Sequence, residues 1–169
     1  HIHDRRQRQM CIRDSDTREE MLKYYGSSHM KREYQLIESF SEIYDDKQIA
    51  PLKGLKIETI KINSLPDNNI INIQYIRPDN DEILPCVYYI HGGGMEVLSC
   101  FHGNYRAWGR LLAHQNVAVA MVDFRNATMP SSVKEIGPFP AGLNDCISGV
   151  KWVYENSSKL MIDLSLIHI

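Results

Sequence analysis

His91-Gly92-Gly93-Gly94-Met95 closes the apolar segment Cys86-Val87-Tyr88-Tyr89-Ile90. Three consecutive glycines at a strand end leave the backbone bare, so N–H groups can approach a ligand oxygen closely. Fixed donors of that kind suit one chemistry: stabilising the negative charge that develops on a carbonyl oxygen under nucleophilic attack. Taken alone, the run fits an ordinary glycine turn equally well. No G-x-S-x-G follows it, so the nucleophile that would use such a hole is missing from this sequence.

The elements that would position this run can be read from periodicity. Lys56–Asn63 and Ile70–Ile76 alternate or run apolar, which predicts two strands. Leu65-Pro66-Asp67-Asn68-Asn69 between them has turn chemistry. Pro85–Ile90 and Val117–Phe124 are continuous apolar runs, suited to strands buried on both faces. Asn104 is the expected N-cap of a helix whose inner face is Tyr105, Trp108, Leu111 and Leu112. After a loop from Pro130 to Pro140, a second helix is expected to bury Leu143, Ile147, Val150 and Val153. The order argues for an α/β sheet that starts with an antiparallel strand. Near the N-terminus, Tyr34, Ile37, Phe40 and Tyr44 recur at helical spacing, with Leu36 and Ile43 widening the stripe. That predicts an amphipathic helix packed on a core; a cap over a site is the functional alternative. Gly26-Ser27-Ser28 should break this region into two helices.

Composition narrows the partners. A net charge of −2 argues against a nucleic-acid or anionic-membrane surface, which would favour a basic patch. No apolar run is long enough to span a bilayer. The two ends carry a further signal. Met10-Cys11-Ile12-Arg13-Asp14-Ser15 and Leu164-Ser165-Leu166-Ile167-His168-Ile169 can be encoded by nucleotide strings that are reverse complements. Natural termini have no reason to show that relation, and the string looks like a transposase adapter. Residues 1–15 and 164–169 are therefore expected to be adapter-derived, non-native segments. With Cys11 set aside, Cys86, Cys100 and Cys146 form an odd set without framework spacing. That points to free thiols and a cytoplasmic, reducing compartment.

Three blocks line up in order: Tyr89–Met95, Asp123-Phe124-Arg125-Asn126-Ala127, and Pro138-Phe139-Pro140-Ala141-Gly142-Leu143-Asn144-Asp145. They resemble the oxyanion loop, the D-Y-R-L-A block and the P-F-P-A-A-x-x-D block of the hormone-sensitive-lipase-like α/β-hydrolases. The resemblance implies a mostly parallel sheet with flanking helices, truncated before the nucleophile elbow. It divides the chain into a helical cap-like region at 16–55 and a partial hydrolase domain at 56–163. It implies hydrolysis of small carboxylic esters by Ser-His-Asp/Glu acyl transfer, with no metal or organic cofactor. Gly92 and Gly93 would donate the oxyanion-hole N–H groups, Gly94 would give the turn its freedom, His91 would support the loop, and Met95 would line the substrate pocket. None of the triad can be placed on this sequence. Phe124 stands where the family has Tyr, and Asn126 where it has Leu. A ligand receptor on the same fold, or an amide or peptide hydrolase, would share these features.

Other residues read more plainly. Cys100 and His102 are too few for a metal site. Asp123 fits a structural role better than that of a triad acid. Arg125 and Asp145 are candidates for a buried ion pair. With the sheet ending at Asp163, Pro85–Ile90 would be an exposed apolar edge and an aggregation hazard.

Overall fold

The computed structural model describes residues 17–168. The segment 1–15 read as adapter-derived lies outside them, as does Ile169. The chain divides into two compact units at Ile37. In the first, Thr17 caps helix α1, Arg18–Tyr25, its hydroxyl accepting from the Glu20 N–H at 3.3 Å. Gly26 ends α1, and the Ser27 hydroxyl accepts from Met30 N–H at the start of α2, Ser28–Ile43. The Gly-Ser-Ser break thus falls between two helices, as expected.

The second unit is built on five strands: β1 Leu55–Ser64, β2 Asn69–Pro78, β3 Leu84–Ile90, β4 Ala118–Asp123 and β5 Ile162–His168. Helix α3, Gly103–Ala113, joins β3 to β4, and α4, Ala141–Glu155, and α5, Ser157–Leu160, join β4 to β5. The sheet order is β1-β2-β4-β3-β5. β1 and β2 form an antiparallel hairpin, β2 meets β4 antiparallel, and β3 runs parallel to both β4 and β5. β4 is buried on both faces. Its Ala118, Ala120 and Val122 join Tyr88, Cys146 and Val153 in one core, and Val119 and Met121 join Ile76, Cys100 and Ala113 in the other. That alternation makes the continuous apolar run a central strand. Among the described residues no helix is long and apolar enough to cross a membrane.

The helices are turned relative to the sequence expectation. α4 buries Gly142, Asp145, Cys146, Gly149 and Val153, while Leu143 and Ile147 stay 40% and 41% exposed. The reason is close approach. A Cβ on Gly149 would lie 2.2 Å from the Tyr88 hydroxyl, which donates to the Cys146 carbonyl at 2.8 Å. α3 behaves likewise: Gly103, Ala107, Gly109, Arg110 and Ala113 are buried and Trp108 is about half exposed. A Cβ on Gly109 would lie 2.6 Å from Met121 Sδ. Nor does Asn104 cap α3. The helix begins at Gly103, whose N–H donates to Glu42 Oε1 at 3.0 Å.

The stripe on α2 is also corrected. Phe40 and Tyr44 are 62% and 69% exposed. What ties the end of α2 to the rest of its unit is charge. Glu42 and Asp45 both bind Arg106, and Asp45 also binds Arg110. Arg110 Nε reaches the Ala50 carbonyl at 2.7 Å. Burial alone would raise the Asp45 pKa, but hydrogen bonds from Arg106, Arg110 and Lys47 outweigh it and pull the group to about 2.

β5 covers Leu84–Val87 of the edge expected to be exposed, while Tyr88–Ile90 lie beyond its pairing and Ile90 is exposed. Leu84 faces Ile162 and Pro85 faces Asp163; after a register shift, Cys86 faces Ile167 and Val87 faces His168. Ile162, Leu164 and Leu166 alternate with Asp163 and Ser165, a strand pattern. The shift lies where Asp163 Oδ1 accepts from the Ser165 N–H and hydroxyl at 2.9 and 2.7 Å. Leu164–His168, read from the sequence as adapter-derived, lie within β5.

Two outcomes follow from these contacts. Gly149→Ala overpacks the α4–β3 contact and should lower the urea-derived unfolding free energy by about 1–3 kcal/mol. Asp45 titrates lower in the folded protein than its ordinary 3.8, so its contribution is present above pH 3.8 and fades as pH falls toward 2. Relative to Asp45→Asn, the wild type should lose about 2 kcal/mol between pH 5 and pH 2, read from urea midpoints at both pH values.

Candidate functional site

The glycine loop leaves the C-terminal end of β3, beside the end of β4. In open α/β sheets ligands bind in the crevice outside the carboxyl ends of the strands. Four residues of the loop have positive φ: Gly93 at 119°, Gly94 at 65°, Met95 at 58° and Leu98 at 77°. A Cβ on Gly93 would lie 2.2 Å from the Val97 carbonyl oxygen, so this position admits only glycine. The Gly93 carbonyl accepts from Glu96 and Val97 N–H at 3.0 and 3.3 Å, closing the turn.

The loop is tied down through its carbonyls. Met95 O accepts from Ala127 N–H at 2.9 Å. Glu96 O accepts from the N–H groups of Thr128 and Met129 and from the Thr128 hydroxyl at 2.6 Å. Leu98 O accepts from Asn126 Nδ2 at 2.7 Å. All of these donors sit on the segment that follows β4. The Gly93 and Gly94 N–H groups donate to no acceptor among the described residues.

His91 is buried and stacked on Phe124, with ring centroids 4.2 Å apart and planes 6° from parallel. Its Nδ1 lies 2.8 Å from the Gly92 carbonyl. A carbonyl only accepts, so Nδ1 carries the proton. Nε2 is 3.7 Å from Asp123 Oδ1 and makes no hydrogen bond. Burial lowers the His91 pKa despite the Gly92 carbonyl and the nearby Asp123, and the ring is a neutral strut beneath the loop.

Asp123, fully buried, gathers the surrounding chain. Oδ1 accepts from the Ser99 hydroxyl at 2.7 Å and Cys100 N–H at 2.9 Å. Oδ2 accepts from Ser132 N–H at 2.8 Å and from the Ser132 hydroxyl. Asn72 Nδ2 donates to Ser132 Oγ at 2.7 Å. Arg125 forms the expected pair with Asp145, through Nε at 2.9 Å and Nη2 at 2.8 Å. It also holds Asp67 in the β1–β2 turn, through Nη1 at 2.5 Å and Nη2 at 3.2 Å. The guanidinium lowers the Asp67 pKa, and the two carboxylates raise that of Arg125.

Met95 lines a cavity of about 300 Å³ with Gly94, Glu96, Ala127, Phe139 and Leu143. Gly92, at the start of the loop, lies against Tyr105, whose hydroxyl would be 3.0 Å from an added Cβ. Cys100 and His102 do not come together as ligands: the Cys100 thiol approaches Met121 O at 3.5 Å, and His102 flanks the start of α3. The described residues contain no group of three or more His, Cys, Asp and Glu able to hold a metal ion. Sequence reasoning missed Asp67, Ser99, Thr128 and Ser132. Only Asp67 carried a signal, as a turn residue.

Removing the guanidinium should leave the buried Asp145 uncompensated. Arg125→Ala is expected to cost about 3–5 kcal/mol, measured as a loss of unfolding free energy in urea.

The chain resembles known proteins along most of its length. Residues 72–169 match the BD-FAE family model. Esterase Est22 is 54% identical, with a TM-score of 0.89 over 91% of this chain and 46% of that one. Brefeldin A esterase, a bacterial homologue of human hormone sensitive lipase, is 32% identical, with a TM-score of 0.67 over 88% of this chain and 39% of that one. Tuliposide A-converting enzyme b1 of Tulipa gesneriana is 33% identical over 131 residues, 70% of this chain and 33% of that protein. The chain therefore spans less than half the length of these relatives. With its sheet order, its glycine loop and these matches, the chain belongs to the BD-FAE family, on the hormone-sensitive-lipase-like branch of the α/β-hydrolases.

Proposed function

We propose that this chain supplies the oxyanion-binding half of a carboxylic ester hydrolase. The observation that carries the reading is the asymmetry of the glycine loop. Its carbonyls at Met95, Glu96 and Leu98 are all engaged from the β4 side, whereas the Gly92, Gly93 and Gly94 amides have no protein acceptor among the described residues. Donors held this way stabilise a developing oxyanion without reorganising, and each contributes about 3–4 kcal/mol in the transition state. Gly92 and Gly93 N–H are the donors implied by the family pattern, with Gly94 shaping the turn and His91 propping it. Met95 and its cavity receive part of the substrate. The esterase names of Est22 and brefeldin A esterase support ester rather than amide chemistry.

Acyl transfer also needs a nucleophile and a base, and no G-x-S-x-G elbow occurs in these 169 residues. The chain alone is therefore expected to hydrolyse nothing by this route.

Reading the source gene past Asp163 is the first test. A G-x-S-x-G elbow followed by an acid and a His supports the reading; native sequence without a nucleophile favours a ligand receptor on the same fold. The full-length protein should then cleave p-nitrophenyl acetate, and Gly93→Ala should reduce kcat by about 100-fold or more. A full-length protein with the elbow that cleaves a peptide or anilide but no ester would overturn the ester assignment.

A further inference from the structure

Leu98 is a strained point of the glycine loop. Its φ of 77° puts a side chain in the left-handed region, which persists only where the surroundings over-determine it. Ala127, Thr128 and Met129 anchor the carbonyls of residues 95 and 96, and Asp123 anchors Ser99 and Cys100. Between these anchors the Leu98 carbonyl is held by a side chain. Asn126, with no exposed surface, donates from Nδ2 at 2.7 Å.

The rest of that carboxamide is poorly served. Asn126 Oδ1 is buried with no hydrogen-bond partner, and an unpaired buried acceptor destabilises a fold. The family pattern has Leu at this position, which would carry no such penalty. What the carboxamide supplies here is its donor, on the Leu98 carbonyl.

We infer that Asn126 is a positioning residue. By holding the Leu98 carbonyl it fixes the turn from Gly93 to Leu98, and through it the direction of the loop's N–H donors. The inference rests on the acyl-transfer reading above. It adds a side chain, absent from the family pattern, to the groups that set the loop's geometry.

Asn126→Leu separates positioning from stability. In the full-length protein, with a p-nitrophenyl ester, kcat should fall by roughly tenfold or more, because a small misplacement of a preorganised group is costly. KM should stay within about twofold, the pattern of an interaction realised in the transition state. In the 169-residue chain, hydrogen exchange at the Glu96 and Val97 amides, which close the turn on Gly93, should accelerate while that of β4 does not. Asn126→Ala removes the donor without adding bulk or charge to this buried position. It should behave the same way, and it carries the test if the Leu variant does not fold. Unchanged kcat or unchanged exchange in the turn overturns the inference. So does a loss of kcat accompanied by loss of protection across β4, which is what a merely structural residue would give. If the wild-type full-length protein cleaves no ester, the functional reading fails, and exchange alone decides whether Asn126 fixes the loop.

Discussion

A buried carboxylate cannot be left without donors, and Asp123 sits where β4 leaves the sheet with no exposed surface at all. Its donors come from two directions. Ser99 and Cys100 belong to the segment after the glycine loop, and Ser132 to the segment after β4. Satisfying one side chain therefore fixes two otherwise irregular loops against each other. Asn72 of β2 extends the set through Ser132.

Phe124 and Arg125 follow Asp123 directly and face different tasks. Phe124 stacks on His91 and so supports the start of the glycine loop. Arg125 turns to the α4 side and binds Asp145 and Asp67. A guanidinium matches two carboxylates with its planar fork, which is why one residue can join β4, α4 and the β1–β2 turn. Three consecutive residues at one strand end thus tie the glycine loop, α4 and the β1–β2 turn to β4.

Much of this was legible in the sequence, and what was not has physical causes. The first four strands followed from apolar runs and alternation, and Arg125–Asp145 from its two blocks. The inner faces of α3 and α4 did not. Apolar periodicity picked Trp108, Leu143 and Ile147, but the sheet-facing stripe is set by what can approach closely, and there Gly109, Gly142 and Gly149 decide. Asp67, Ser99 and Ser132 look the same in sequence whether solvated or bonded, because each partner lies on a distant segment. Asn126 was visible as a departure from the family block, yet its orphaned oxygen and its bond to Leu98 exist only in three dimensions. β5 was missed because its residues were set aside on other grounds, although Ile162–Leu166 alternate as a strand should.

The loop also shows how a polypeptide exposes amides without destabilising itself. Every peptide has one donor and one acceptor, and burying either unpaired is costly. Positive φ at Gly93, Gly94, Met95 and Leu98 lets successive peptides turn so that several carbonyls face the β4 exit, where donors await them. The matching N–H groups of the glycines then point elsewhere. The interior of a helix or of a sheet could not do this, because the regular ladder there pairs both groups. The glycine run permits the geometry, but the anchoring of its carbonyls selects it. A loop with the same glycines and without Asp123, Asn126 and Thr128 would have many conformations of similar energy. Donors that must first be ordered stabilise a transition state less than donors already in place.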